Sequence, residues 1–78
     1  MNLAYKVNEV LAALGWDNLE VMHYYNSVEL YDAFMVFDGG ERVTTFKVSH
    51  SQIESGEATP WIIAGNVIDY IVMRNNNP

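Results

Sequence analysis

The sequence contains no cysteine, and it has only two histidines among its 78 residues. Without thiols the chain can form neither a disulfide nor a zinc site built from thiolates, and two imidazoles make a poor structural metal site. We therefore expect no metal and no cofactor. A small domain that lacks disulfides and metal sites can still gain stability by self-association.

Long hydrophobic runs are missing as well. The most apolar stretch, 60–73, is too short to cross a bilayer, and it contains Asn66 and Asp69. The first residues show no basic region followed by an apolar run, which is the pattern of a secretory signal. From these two features we expect a cytoplasmic protein without a membrane partner.

Basic side chains are scarce, with four Lys and Arg against ten Asp and Glu, for a formal net charge of -6. A field of this sign repels phosphate and disfavours direct binding of nucleic acid or of an anionic membrane. It favours a partner protein with a basic surface. The same acidity also serves solubility alone, and that simpler interpretation stays open.

Two amphipathic helices are predicted, one near each end of the chain. From Asn2 to Leu14 the apolar residues recur at helical spacing, with Asn2 as N-cap and Gly15 as the C-terminal stop. The second helix starts at Thr59-Pro60, a favourable cap and first-turn pair, and runs to about Arg74. Residues 1–74 then form a single domain, and 75–78 form a frayed polar tail.

Three strands are predicted between the helices: 19–25, 28–37 and 42–48, rich in aromatic and β-branched residues. A short helix from Ser27 is an alternative start for the second strand. Asp38-Gly39-Gly40-Glu41 favours a tight hairpin, because both glycines accept positive φ. The stretch 49–59 is predicted to be a polar connector.

These elements predict an α+β fold in the order helix, three antiparallel strands, helix, with both helices on one face of the sheet. The order resembles that of double-stranded-RNA-binding domains. Those domains carry basic residues at the start of the last helix, whereas this chain has Thr59-Pro60-Trp61-Ile62-Ile63 there. RNA binding is therefore not inferred from the resemblance.

A two-residue loop at Gly39-Gly40 implies a register that places Asp32 opposite Lys47 as a pair of opposite charges. We interpret the face with that pair as the solvent face. The other face is interpreted as the core and holds Tyr31, Ala33, Met35, Phe46 and Val48. The assignment leaves apolar residues on the solvent face, namely Leu30, Phe34, Val36 and Val43. Either they form a binding patch, or the faces are reversed and they are core.

Candidate catalytic groups are few. His50 lies between Ser49 and Ser51, but no acid is fixed beside it by the sequence, and we interpret it as a solvated loop histidine. His23, in the first strand, is interpreted as partly buried and hydrogen-bonded. The acids are dispersed along the chain without the spacing of an acid–base pair or a metal loop. No catalytic or metal site is predicted.

The functional hypothesis is a small acidic, non-enzymatic protein-binding module. Its predicted partner-binding residues are the loop acids Asp38, Glu41, Glu54 and Glu57 and the apolar residues Phe34, Val36 and Val43. Small acidic chains of this kind are common among phage and mobile-element inhibitors that occlude a basic, nucleic-acid-handling site on a host protein. The alternative is a structural homodimer joined through the outer sheet face.

Overall fold

The computed structural model describes residues 3–76 of the chain. Its elements are α1 (Leu3–Ala13), β1 (Leu19–Asn26), β2 (Tyr31–Asp38), β3 (Glu41–Ser49), α2 (His50–Ser55) and α3 (Pro60–Asn76). The strands form one antiparallel sheet in the order β1-β2-β3. The predicted α+β class and element order are confirmed, with α2 as an additional short helix.

The core lies between one face of the sheet and the two long helices. The buried apolar residues are Leu3, Val7, Val10 and Leu11 of α1, Ile63, Ala64, Val67 and Ile71 of α3, and Leu19, Val21, Phe34 and Val36 of the sheet. Leu14, predicted to belong to the α1 stripe, is 51% exposed because the helix has already ended at Ala13.

Both helix signals in the sequence act as predicted. Gly15 has φ 87°, its N–H bonds to the Ala12 carbonyl, and the Trp16 N–H bonds to that of Leu11, which together form a Schellman cap. At the start of α3, the Thr59 hydroxyl accepts a hydrogen bond from the Ile62 N–H at 3.2 Å. The Asn2 cap lies outside the described residues.

The hairpin between β2 and β3 is confirmed. Asp38 pairs with Glu41, and Gly39 and Gly40 have φ values of 62° and 88°, the positive pair that a type I′ turn requires. Three residues beyond the turn the predicted register fails. Phe37 pairs with Arg42 as predicted, but Val36 pairs with Thr44, so Val43 is the extra residue of a β-bulge.

The bulge decides which residues share a face. The predicted core positions of Phe46 and Val48 are confirmed, and Ala33 is buried, but the face assignment is wrong for the rest of β2. Beyond it Phe34 lies opposite Phe46 and Asp32 opposite Val48, so all four side chains point toward the helices. Without the extra residue, the apolar side chains of β2 and β3 would point to opposite faces. Asp32 is therefore buried, and the predicted pair with Lys47 does not form.

The chain turns between the first two strands as predicted, and the Asn26 side chain accepts hydrogen bonds from the N–H groups of Val28 and Glu29. The second strand, however, begins at Tyr31 and not at residue 28. The predicted connector contains α2, closed by Gly56 at φ 84°. The helix α3 continues through Asn75 and Asn76, which were predicted to be frayed, and the rest of the tail lies outside the described residues.

Candidate functional sites

The face of the sheet opposite the helices, here called the open face, carries large apolar side chains. They are Met22, Tyr24, Tyr31, Met35 and Phe37, which alternate with the buried residues of β1 and β2. Met22 and Tyr24 remain 49% and 45% exposed. An antiparallel sheet with one covered face normally has a polar outer face, so this surface is a candidate interface.

The hairpin end of the open face combines apolar and acidic groups. Met22 and Phe37 line a shallow depression of about 430 Å³ together with Asp17, Asn18, Glu20 and the turn glycines. Asp38 and Glu41 flank the turn, and the Asp38 carboxylate accepts a hydrogen bond from the Asn18 amide at 2.8 Å. The base here is Arg42, the strand partner of Phe37. We call this region the acidic notch.

In the other half of the open face, the aromatic side chains contact neighbouring side chains of the same sheet. The Lys47 ammonium lies 4.6 Å from the centre of the Tyr31 ring, a cation–π geometry. The Tyr31 hydroxyl accepts a hydrogen bond from the Asn26 amide at 3.2 Å. A hydrogen bond with Tyr31 raises the pKa of Tyr24. These aromatic groups already have partners, unlike Met22 and Phe37 in the acidic notch.

The free edge of β1 is blocked by α1. The Asn8 side chain accepts a hydrogen bond from the Val21 N–H at 2.8 Å and donates one to the Val21 carbonyl at 3.1 Å. An added strand would need those two backbone groups. The middle of this edge is therefore not available for strand addition.

The structure separates the predicted partner-binding residues. Asp38 and Glu41 lie at the acidic notch, whereas Glu54 belongs to α2 and Glu57 follows it at the opposite end of the sheet. The seven steps between the eight residues of β2, at about 3.3 Å each, place the two ends about 23 Å apart.

The apolar members of the predicted patch are not on the open face. Phe34 and Val36 are completely buried, and Val43 packs partly buried against the same core. Leu30 is exposed, but it lies in the turn before β2 at φ 58°. The physical reason is the reversal of faces described above. The exposed Met22 and the half-buried Phe37, which were not predicted as binding residues, lie on the open face instead.

A second site lies where β2 begins, around the one buried charged residue of the described chain. Asp32 is 2% exposed, and each of its carboxylate oxygens accepts a hydrogen bond from a histidine ring. Nε2 of His23 donates to Oδ1 at 2.6 Å, and Nδ1 of His50 donates to Oδ2 at 2.7 Å. Nε2 of His50 lies 2.8 Å from Oε1 of Glu54. We call these four residues the histidine–aspartate cluster.

The cluster favours the charged form of His50. Hydrogen bonding to Asp32, only partly opposed by desolvation, raises the pKa of His50, and Glu54 raises it further. Because both ring nitrogens face carboxylates, neither is available in this arrangement to activate a hydroxyl. The neighbouring Ser49 and Ser51 hydroxyls bond to each other at 2.8 Å. In residues 3–76 no group of three or more His, Asp or Glu is arranged to hold a metal ion.

The prediction for His23 as a partly buried, hydrogen-bonded histidine is confirmed. The interpretation of His50 as a solvated loop residue is wrong, because it begins α2 and bonds to two carboxylates. The sequence holds one signal for this cluster. Asp32 follows the same alternation as Phe34 and Val36, so a core containing those two must also contain Asp32.

Comparison of the chain with protein-family models, with curated proteins and with solved structures finds no match. Within residues 3–76, no helix has the length and apolar character needed to cross a membrane. We therefore infer the function from the two sites themselves.

Proposed function

We propose that this chain is a small, non-enzymatic module that binds a basic surface of another protein at its acidic notch. One observation carries the proposal: Met22 and Phe37 line the depression with Asp17 and Glu20. Asp38 and Glu41 flank the turn at the same end of the sheet, and the base there is Arg42, the strand partner of Phe37. Desolvated apolar anchors supply most of the affinity of an interface, and surrounding charges supply steering and selectivity.

The partner class follows from the sign of the charge. Nucleic-acid-handling proteins present concentrated positive charge, and a compact domain with a net charge of -6 competes with phosphate for such a surface. In this proposal the chain occludes the basic site of a host protein, as an inhibitor encoded by a phage or mobile element would, and it acts in the cytoplasm. The assignment is supported by an association: small acidic chains are common among such inhibitors.

Charge reversal at one end of the sheet tests the proposal. The E20K/E41K variant reverses two exposed acids at the notch, and E29K/E57K makes the same change in net charge away from it. Proteins captured from host lysate by the wild-type chain would be identified by mass spectrometry. We expect basic proteins, lost with E20K/E41K and retained with E29K/E57K. Equal capture by both variants, or no specific capture, would contradict the proposal.

A second candidate, a homodimer through the open face, is favoured by the apolar side chains that continue beyond the notch to Met35 and Tyr24. Self-association would bring two negatively charged copies together, so salt should strengthen it by screening. Light scattering over a range of protein and salt concentrations distinguishes the candidates. A mass that stays monomeric at every concentration excludes the dimer.

A further inference from the structure

The short helix α2 depends on few contacts for its position. It has six residues, none of them buried, and a helix of this length does not persist on its own in water. Its contacts with the sheet and the core involve His50 and Ile53. Ile53 packs partly buried against the core, the His50 N–H bonds to the Leu30 carbonyl at 3.1 Å, and the His50 ring bonds to Asp32 and contacts the Tyr25 ring.

The geometry around His50 specifies its protonation. Carboxylate oxygens only accept hydrogen bonds, and each ring nitrogen of His50 faces one, at 2.7 Å to Asp32 and 2.8 Å to Glu54. Both nitrogens must therefore donate, which requires the imidazolium form. A neutral ring would leave one nitrogen lone pair facing a carboxylate oxygen at hydrogen-bond distance.

We propose that His50 is a proton-operated latch: its imidazolium form holds α2 on the sheet, and loss of the positive charge of the ring weakens its contact with the Asp32 carboxylate and releases the helix. When His50 moves away, the buried Asp32 carboxylate still accepts a hydrogen bond from His23. Release of α2 therefore does not leave a buried charge without a partner. Release frees Ile53 and uncovers the end of the core that it covers.

The direction of the pH response follows from the groups around the ring. Asp32 of β2 and Glu54 of α2 bond to the ring, and His23 of β1 shares the Asp32 carboxylate. The Tyr25 ring of β1 lies tilted against the His50 ring, with 4.4 Å between the ring centres. The pKa of His50 is raised in the folded chain. The latch is therefore fully closed below the ordinary imidazole pKa of about 6.5 and opens as pH rises through the raised pKa.

The test is an NMR pH titration of the His50 ring together with amide hydrogen exchange, corrected for intrinsic rates, on the full chain. We expect the His50 titration midpoint to lie above that of a free imidazole. Protection of the α2 amides should fall across the same pH range, while protection of the α1 amides stays constant. Constant α2 protection, or a His50 midpoint at or below that of free imidazole, would overturn the proposal.

Two variants separate the latch from a merely structural role. Glu54→Gln removes one charge at a side chain that is 71% exposed, and it should move both the titration midpoint and the loss of α2 protection to lower pH together. Glu57→Gln, outside the cluster, is the matched control and should leave both unchanged. If Glu54→Gln shifts the midpoint while α2 protection keeps the wild-type pH profile, the ring does not control the helix.

Discussion

The two ends of the sheet are held by different interactions. At the hairpin end, a tight turn with two glycines of positive φ joins β2 to β3, and Leu19, Val21 and Val36 bury apolar surface under it. At the α2 end, a buried carboxylate and two histidines lie beside the partly buried Val48 and Ile53. Apolar burial does not change with pH, whereas an imidazolium–carboxylate contact does. The contacts that hold the hairpin end, which carries the acidic notch, are therefore independent of pH. The contacts at the other end depend on pH.

The largest expected effect is at Phe34, which joins the two ends. Its ring is completely buried and lies 5.6 Å from that of Phe46 and 5.1 Å from that of His23. Phe34→Ala should lower the free energy of unfolding by about 3–5 kcal/mol and weaken both ends. Phe37→Ala, on the open face, is the control with the same chemistry and should cost far less. Urea unfolding measures both, and similar losses would show that the open face is a core surface.

The next effect should be confined to the α2 end. Asp32→Asn replaces one accepting oxygen with an amide that faces an imidazole N–H, so we expect a loss of about 1–3 kcal/mol. The exposed Asp17→Asn should stay within about 0.5 kcal/mol of wild type. Urea unfolding at several pH values should also show a weaker pH dependence for Asp32→Asn. An unchanged stability would mean that the buried carboxylate contributes nothing to this end.

The smallest effects test the hairpin end against a helix position. Gly40→Ala places a Cβ on a residue at φ 88° and should destabilise the chain by about 1–2 kcal/mol. Gly65 lies within α3, and a Cβ built there meets nothing within 4 Å, so a close helix-to-sheet approach does not account for this glycine. Gly65→Ala should therefore stabilise by about 0.4–1 kcal/mol. Thermal unfolding of both variants gives the signs, and a stabilising Gly40→Ala would contradict the type I′ turn.

Features encoded within a few residues were predictable. The apolar stripes of the two long helices, the stop at Gly15, the Thr59-Pro60 start and the Gly39-Gly40 turn each depend on neighbours in the chain. The short helix α2 was missed because its residues are polar and none is buried, which leaves no apolar stripe to detect. Half of the acidic notch was predictable, since Asp38 and Glu41 belong to the turn, whereas Met22 and Phe37 depended on the orientation of the sheet.

The sequence by itself determined the number, type and order of the long elements and the position of the hairpin, because each is a local property of backbone conformation and apolar spacing. Only the tertiary structure decided which face of the sheet is buried. A single extra residue at Val43 aligned the apolar side chains of β2 and β3, and the same alignment carried Asp32 into the interior. The cluster there joins residues 9 and 18 positions apart, and the bonds between them exist only once the strands have paired and α2 has closed over them.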